Sequence, residues 1–367
     1  MLNSITLPSD SRVLRDFRKP LSSAQQKLYL EGKLGSYDTH TLFYDIFFSV
    51  DGKEIIGLAP PALNLNNLFK DMKVFVSDKQ IDMSLYFSHK KVDIYKAVLK
   101  HPEIHQEVDI KILLNDGSAY EFVLKKSTPL AGKSLVTIQK NNQIRWIRDW
   151  IKYYKYSIGI ENIFIYDNNS DYQDSLQHEL GEDATVIPWN FPFGVNSRSG
   201  NKFCQVGALN HFKYKYGWDC KTILNFDIDE LLKVNTLDFM KPSQLLRFNS
   251  FCVPFIKPAT ADYSFIDFNK RSTSVVNGGH KYCAPGNLKG VMDVHAFDLL
   301  PKWWHRLVPT ALLKGPVLPV SEAYFLHYYG ISTNWKNGER MKDFVGDEKA
   351  LLDNEISMIF KDFKKIQ

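Results

Sequence analysis

Between residues 41 and 126, apolar and polar residues alternate, which is the two-residue period of strands that bury one face. Apolar runs within residues 41–59 flank a Val-Asp-Gly turn, and a second pair of alternating runs flanks Asn115-Asp116-Gly117. Asp-Gly between such runs is a strong hairpin signal. The pattern predicts an antiparallel, sandwich-like β module over residues 1–130.

After residue 131 the apolar spacing becomes helical between short, buried strands. A strand pattern at 134–140 precedes a helix pattern whose apolar face repeats at steps of three and four, at Ile144, Ile147, Ile151, Tyr154 and Ile158. Alternating strands and helices predict an α/β domain with a doubly wound, mostly parallel sheet over residues 131–367. Further helices are predicted at about 171–180, 198–216 and 334–360.

Two of these predicted strands end in polar clusters. The apolar run 223–226 stops at Asp227, Asp229 and Glu230, and an earlier strand stops at the polar run 167–171. Ligands of doubly wound sheets bind beyond the carboxyl ends of the strands, so the clusters mark a predicted site.

The spacing of the acids indicates a metal. In an extended chain Asp227 and Asp229 lie on one side, about 6.5–7 Å apart, and Glu230 on the other. Two such carboxylates can share Mg²⁺ or Mn²⁺. Because acids one residue apart are common by chance, a solvated strand end or a helix N-terminus is the alternative.

Composition narrows the class of protein. Hydrophobic residues make up 44% and charged residues 24%, as in ordinary globular proteins. The net charge of +5 is too small for a nucleic-acid-binding signature, but it fits an anionic ligand or an anionic membrane surface.

The sequence also carries signals of location. Its four cysteines form no CxxC pattern, which favours free thiols in a reducing compartment. The first residues lack the apolar core of a secretory signal, and no apolar run reaches the roughly 18 residues that span a bilayer. We expect a cytoplasmic protein, peripheral at the inner face of the membrane; the sequence predicts no oligomeric state.

Residues 139–171, QKNNQIRWIRDWIKYYKYSIGIENIFIYDNNSD, resemble the opening block of GT-A-fold glycosyltransferases of family 92 and of the related family-2-like group. Matching positions include Lys140-Asn141, Gly159 and the run 166–171, and FDIDE at 226–230 matches a later block. The resemblance covers about 134–330 and implies a GT-A-like fold for the second domain.

The resemblance implies that an enzyme of this kind transfers a sugar from a nucleotide-sugar to a hydroxyl of a glycan acceptor. The donor would be UDP-linked, galactose being the family tendency, and the cofactor Mn²⁺ or Mg²⁺. Transfer would invert the anomeric centre during synthesis of a surface polysaccharide or glycan.

Site residues follow from the same resemblance. The implied metal ligands are Asp227, Asp229 and His327, with His295 as the second choice of histidine. The residues implied to contact the donor are Asp167, Asn169, Arg198, Asp227 and Lys281. The implied catalytic base is Asp267, with Asp262 and Asp293 as alternatives.

Two other functions stay open from the sequence. A carbohydrate-binding or scaffold protein with a degenerate transferase domain is the first, and intact Asp227 and Asp229 argue against it. A nucleotidyl- or phosphotransferase that uses the same carboxylates is the second. Ordinary P-loop chemistry is disfavoured because the sequence has no Walker-type glycine loop.

Overall fold

The structure is a computed structural model. It describes residues 2–32, 36–99, 107–195, 200–235, 245–254, 262–294, 296–298, 315–331 and 351–365. Within these segments, no helix has both the length and the apolar character needed to cross a membrane.

The first part of the chain is mostly antiparallel sheet. Its strands are β1 (Ile5–Thr6), β2 (Thr41–Phe43), β3 (Asp45–Phe48), β4 (Glu54–Ala59), β5 (Lys73–Val76), β6 (Lys79–Ser88), β7 (Asp93–Val98), β8 (Glu107–Leu113) and β9 (Ala119–Lys125). Its helices are α1 (Ser23–Leu30), a 3₁₀ turn (Leu63–Leu65) and α2 (Asn66–Phe69). The hairpin predicted at Asp116-Gly117 is confirmed, because β8 and β9 pair antiparallel on either side of it.

The predicted sandwich is wrong, because strands β3 to β9 form one curled sheet, whereas β1 and β2 pair separately. Seven strands follow the order β3-β4-β7-β6-β5-β8-β9. The long strand β6 pairs with β5 over its first half and with β7 over its second, where the register shifts between Leu85 and Phe87. Such an irregularity bends a strand. The two edge strands, β3 and β9, therefore approach each other and nearly close a barrel.

The second part of the chain builds an eight-stranded sheet and several short pairs. Its strands are β10 (Lys133–Gln139), β11 (Asn162–Asp167), β12 (Thr185–Pro188), β13 (Thr222–Asn225), β14 (Glu230–Val234), β15 (Leu246–Val253), β16 (Lys270–Arg271), β17 (Asn277–Ala284), β18 (Val291–Asp293), β19 (Ala296–Asp298), β20 (Ala323–Tyr328) and β21 (Leu351–Leu352). Its helices are α3 (Ile144–Tyr153), a π turn (Tyr154–Ile158), α4 (Gln173–Leu180), α5 (Cys204–Lys215), a 3₁₀ turn (Phe265–Asp267) and α6 (Asn354–Lys365).

The predicted GT-A-like, doubly wound, mostly parallel α/β sheet is also wrong. The structure is 36% strand and 21% helix, and its second sheet curls into a half-barrel rather than forming a helix-flanked, doubly wound sheet. The sheet order is β12-β11-β10-β13-β17-β15-β20-β14, and the first four strands run parallel. Beyond them β17 is antiparallel to β13 and β15, and β14 is antiparallel to β20.

The physical reason is that the described residues between β13 and β20 include no α-helix that could serve as a crossover. A parallel neighbour requires a long return connection, usually a helix, whereas antiparallel neighbours do not. The strand–helix alternation that indicated a parallel sheet stops at β13, and the strands that follow it add to the sheet in mixed directions. A division of the chain near residue 130 stays a prediction.

Individual helices agree better with the sequence pattern. The apolar face predicted around 144–158 is buried at Ile147, Ile151 and Ile158. The predicted helix at 198–216 forms at Cys204–Lys215, and the last helix is described from Asn354 onward. Residues 332–350 lie outside the described part of the chain.

Helix α5 lies between the two sheets. Its side chains are buried along its whole length, and it contacts β3 and β4 on one side and β10 on the other. Asp45 Oδ2 of β3 lies 2.8 Å from His211 Nε2 and 2.7 Å from Lys215 Nζ. His211 Nδ1 in turn lies 2.7 Å from the Tyr166 hydroxyl of β11. A buried polar network therefore joins the two sheets through α5.

Candidate functional site

Residues 227–230 form a tight turn between β13 and β14, which we call the acidic turn. The backbone N–H of Glu230 donates to the carbonyl of Asp227 at 3.0 Å, and the N–H of Asp227 donates to Glu230 Oε2 at 2.8 Å. The extended geometry expected for Asp227 and Asp229 is therefore wrong. The turn directs the Glu230 side chain back toward Asp227 rather than to the opposite side.

Helix α3 holds the acidic turn in place. The indole Nε1–H of Trp150 lies 3.1 Å from the carbonyl oxygen of Asp227 and 3.2 Å from that of Glu230. The Tyr154 hydroxyl lies 3.1 Å from the same Glu230 carbonyl. Both aromatic side chains are fully buried. Buried carbonyls need such partners, so the helix both packs against the turn and satisfies it.

Strand β20 brings a histidine to the turn. In the antiparallel β14–β20 pair, Glu230 is opposite His327, and the N–H of Tyr328 donates to the Asp229 carbonyl at 2.7 Å. His327 Nε2 lies 3.2 Å from Asp229 Oδ2, and each of these side chains is 18% exposed. The site is thus open enough for a small ligand to reach both groups.

Asp229, Glu230 and His327 converge closely enough to hold an ion. Each places one potential ligand atom within 4.8 Å of the others. Carboxylate oxygens with an imidazole nitrogen suit Mn²⁺, and carboxylates alone suit Mg²⁺. These residues therefore fit the divalent cation that the sequence predicts, with Glu230 in the group where the sequence placed Asp227.

Asp227 instead faces a buried lysine of β17. Lys281 is 1% exposed, and its Nζ lies 2.8 Å from Glu230 Oε2 and 3.5 Å from Asp227 Oδ2. Burial acts to lower the pKa of Lys281, but the two carboxylates outweigh it and raise that pKa above its ordinary value. Lys281, predicted to meet the donor diphosphate, directs its charge at the acidic turn.

The surroundings of Glu230 disfavour its charged form, whereas those of Lys281 favour its charged form. Burial raises the pKa of Glu230 above its ordinary value, and the nearby charge of Asp227 adds to that effect, whereas Lys281 opposes it. A buried carboxylate in such surroundings depends on its cationic partner. The Lys281–Glu230 ion pair is therefore the internal support of the acidic turn.

A second polar cluster surrounds Asp167 at the end of β11. The Asp167 carboxylate is fully buried and accepts from the Ser170 N–H at 3.0 Å, the Ser170 hydroxyl at 2.6 Å and Gln173 Nε2 at 2.7 Å. Gln139, at the end of β10, also donates to it. This is the arrangement of a turn that caps the following helix. Asn169 is exposed at the same turn with φ of 60°.

The two clusters share one edge of the second sheet. Strands β11, β10 and β13 are parallel neighbours, so their carboxyl ends lie on the same side. The Asp167 cluster follows β10 and β11, and the acidic turn follows β13. A ligand with two separated polar parts could contact both.

Asp267 belongs to the 3₁₀ turn that packs against β20, the strand that carries His327. It is exposed in the 3₁₀ turn, where its Oδ2 accepts from the Ser264 N–H at 2.8 Å. Phe265 of that turn packs edge-on against Tyr328, with ring centroids 4.9 Å apart. The alternatives are engaged elsewhere: Asp262 pairs with Arg145 at 2.5 Å, and Asp293 with Lys91 at 2.7 Å. Arg198 and His295 lie outside the described residues.

Two members of the site were not singled out from the sequence. Glu230 was assigned to the far side of a strand, although its spacing of three from Asp227 is the spacing at which a side chain can reach back to a backbone N–H. Gln139 ends a predicted strand without any distinguishing pattern. Its contact with Asp167 depends on the pairing of β10 with β11, which the sequence does not display.

Comparisons with known proteins give matches to limited parts of the chain. No family model matches the sequence. A glycosyltransferase family 92 protein of Arabidopsis thaliana is 33% identical over 93 residues, which are 24% of this chain and 14% of that protein. The chain therefore covers only a small part of that relative.

A solved structure also shares a limited region with the chain. It is SGBP-B of the Bacteroides ovatus mixed-linkage glucan utilization locus in complex with a mixed-linkage heptasaccharide. It is 17% identical, with a TM-score of 0.16, over 25% of this chain and 23% of that one, a score that carries no conclusion about fold. The sequence match to the plant protein supports a glycosyltransferase-like relationship.

Proposed function

We propose that this protein is a metal-dependent glycosyltransferase that moves a sugar from a UDP-sugar to a hydroxyl of a glycan acceptor, with inversion. The observation that carries the proposal is the convergence of Asp229, Glu230 and His327 within 4.8 Å, on the sheet edge that also holds the Asp167 cluster. The glycosyltransferase-like sequence match gives that convergence its chemical context.

Each group would have a distinct task. Asp229, Glu230 and His327 would hold the cation, which when bound would offset the negative charge of the departing diphosphate. Lys281 keeps the acidic turn folded by pairing with Glu230. Asn169, exposed at the Asp167 turn, would contact the nucleoside.

The acceptor hydroxyl needs a base. Its oxygen forms a bond to the anomeric carbon as the bond from that carbon to the diphosphate oxygen breaks, and the hydroxyl proton must pass to a carboxylate. Asp267 would take this proton, since its exposed side chain can be reached by an acceptor. Galactose as the sugar, and a surface glycan as the product, belong to the same proposal.

Calorimetric titration of UDP tests the donor site. With Mn²⁺ present, the wild type should bind UDP, and EDTA should remove that binding. Asp229→Ala should weaken it by at least about tenfold, the lower end of the cost of losing even an outer-shell partner of a metal. Asp174→Ala, which removes an exposed carboxylate from the first turn of α4, is the matched control and should leave binding unchanged.

Two outcomes of that titration would overturn the proposal. Wild-type protein that binds no UDP with Mn²⁺ would favour a carbohydrate-binding or scaffold protein. Binding that survives in Asp229→Ala would place the metal elsewhere.

Substitution of Trp150 tests the support of the acidic turn. Trp150→Phe removes the N–H shared by the Asp227 and Glu230 carbonyls, and we expect a loss of about 1–3 kcal/mol in the free energy of unfolding. Mn²⁺-dependent UDP binding should weaken in parallel, as calorimetry would report.

The matched control is Trp146→Phe. Trp146 is also buried on α3 and donates to the carbonyl of Tyr263 at 2.8 Å. This variant should lose comparable stability in urea unfolding but keep its affinity for UDP. Equal loss of affinity in both variants would show that stability alone, not the acidic turn, governs binding.

A further inference from the structure

A cavity of about 1210 Å³ lies away from the acidic turn. It is bounded by the N-terminal segment 2–9, by residues 186–192 in and beyond β12, and by the end of α5. Asp227, Asp229, Glu230 and His327 are not among its lining residues. Pockets for small molecules usually enclose roughly 300–1,000 Å³, so this cavity has room for a ligand of several linked rings.

Aromatic side chains line the cavity and are backed by the core. They are Tyr120 of β9, Phe191 after β12 and Tyr216 at the end of α5, and all three are partly exposed. The Phe191 ring packs edge-on against Tyr44, with centroids 4.7 Å apart, and the Tyr216 ring lies 5.1 Å from Phe164. Rings fixed in this way lose little conformational freedom on binding. They suit the apolar C–H faces of sugar rings.

The two charged groups in the described lining already have partners within the protein. Lys215 Nζ lies 2.7 Å from Asp45 Oδ2. Asp38 Oδ1 accepts from the Thr41 N–H at 3.0 Å and lies 3.6 Å from Arg15 Nη1. A phosphate would require an accessible, uncommitted cation, and a cationic ligand an accessible carboxylate, whereas Asp38 is only 1% exposed. The lining chemistry therefore favours an uncharged ligand.

Neutral polar groups complete the lining. Ser4, His40 and Asn190 all face the cavity, and they can donate to or accept from hydroxyl groups. The His40 ring is oriented by Thr39, whose hydroxyl lies 2.7 Å from Nδ1. Hydroxyl-matching polar groups beside aromatic rings are what a sugar chain requires, since each sugar ring has apolar faces and a polar rim.

We infer that this cavity is a binding site for a neutral oligosaccharide, separate from the acidic turn. The cavity adjoins the Asp167 cluster, because the Asn190 side-chain oxygen accepts from Gln173 Nε2 at 2.7 Å and Gln173 donates to Asp167. A sugar chain held there would stay close to the proposed donor edge. The binding site itself stands on the cavity lining and does not depend on transferase activity.

Calorimetry with defined sugars tests the inference. The probes are neutral hexasaccharides: β-1,4-, α-1,4- and β-1,3-linked glucose, β-1,4-linked mannose, and β-1,4-linked N-acetylglucosamine. At least one should bind the full chain without UDP or Mn²⁺. Tyr120→Ala and Asn190→Ala should each weaken that binding by at least about fivefold, as expected for a contact at the centre of an interface.

Two controls separate this site from the rest of the protein. Tyr156→Ala removes a tyrosine that is 75% exposed and lies outside the lining, and it should leave sugar binding unchanged. Asp229→Ala should also leave it unchanged, although it should lose Mn²⁺-dependent UDP binding. Absence of binding to every hexasaccharide at millimolar concentration would overturn the inference. So would binding that Tyr120→Ala and Asn190→Ala leave intact or that Asp229→Ala abolishes.

Discussion

Replacing Lys281 with methionine should lower the free energy of unfolding by about 3–5 kcal/mol, the usual cost of removing one partner from a buried ion pair. Lys281 is 1% exposed and Glu230 5% exposed in their side chains, with 2.8 Å between Nζ and Oε2. The Met side chain fills similar space, so packing changes little. Without the ammonium group, Glu230 must keep an uncompensated charge or take up a proton, and either state costs free energy.

Urea unfolding at neutral pH measures the loss of stability, and two further variants serve as a control and as a rescue. Lys125→Met breaks an exposed pair, in which Nζ lies 2.6 Å from Glu107 Oε1 and the side chains are 69% and 55% exposed. It should cost no more than about 1 kcal/mol. The double variant Lys281→Met with Glu230→Gln should recover much of the lost stability, because the buried charge of Glu230 is removed together with its partner. If Lys281→Met proved as mild as Lys125→Met, the pair would not support the acidic turn.

The acidic turn shows which features of the site can be predicted from the sequence and which cannot. Its acids and their place after a buried strand could be read directly from residues 223–230. The turn itself could not, because its geometry depends on carbonyl contacts with Trp150, about 80 residues earlier, and on pairing with His327, about 100 residues later. A strand end with three acids is compatible with extension or reversal until those partners are known.

The fold was predictable where contacts are local. The Asp116-Gly117 hairpin and the buried face of α3 depend on neighbours a few residues apart, and both are present. The curvature and strand order of the two sheets could not be predicted in this way. Near-closure of the first sheet depends on β6 changing partners along its length, and the mixed half of the second sheet depends on pairs such as β15–β20, which are distant in sequence. The period of the hydrophobic residues indicates which face of a strand is buried, but it does not indicate which other strand lies beside that strand.

In the candidate site, too, the type of each residue was predictable from the sequence, but its contacts were not. Asp229 and His327 were paired through a family resemblance, and the structure brings their side chains to 3.2 Å. Lys281 was assigned to a diphosphate through the same resemblance, and its burial against Glu230 became visible only in three dimensions. Charge type is readable from sequence, whereas the partner of each charge is a property of packing.

The buried network around His211 in α5 predicts a second large effect, which is a loss of protein stability at acid pH. The carboxylate of Asp45 can only accept, so Nε2 of His211 carries the proton in that 2.8 Å contact. Nδ1 then accepts from the Tyr166 hydroxyl at 2.7 Å. The imidazole is therefore neutral in a fully satisfied environment, and Lys215 supplies the positive charge that Asp45 needs.

The pKa values agree with this assignment. Burial lowers the pKa of His211 from 6.5 to about 4, although its bond to Asp45 acts in the opposite direction. Burial alone would raise the pKa of Asp45, but the bond from His211 and the charge of Lys215 bring it below its ordinary value. The native protein thus resists protonation at both groups.

Stability should accordingly fall as the pH drops from about 7 to 4. Below pH 6.5 the histidine of the unfolded chain takes up a proton, whereas His211 in the native protein does not until about pH 4. Between pH 6.5 and pH 4, this difference in protonation therefore lowers the free energy of unfolding by about 3 kcal/mol. The depressed pKa of Asp45 adds a further loss at still lower pH, where that carboxylate is protonated.

Comparison of variants isolates the contribution of His211 from that of other groups. Asp38 and Asp93 have pKa values raised by burial, so they oppose the trend in the wild type but cancel in a difference. His211→Gln should be less stable than wild type at pH 7, and its deficit in urea unfolding should shrink by about 3 kcal/mol by pH 4. His178→Gln, on the exposed side of α4, should reproduce the wild-type profile. A deficit for His211→Gln that stays constant between pH 7 and 4 would mean that His211 has the same pKa in the native and the unfolded protein, which would contradict the neutral assignment.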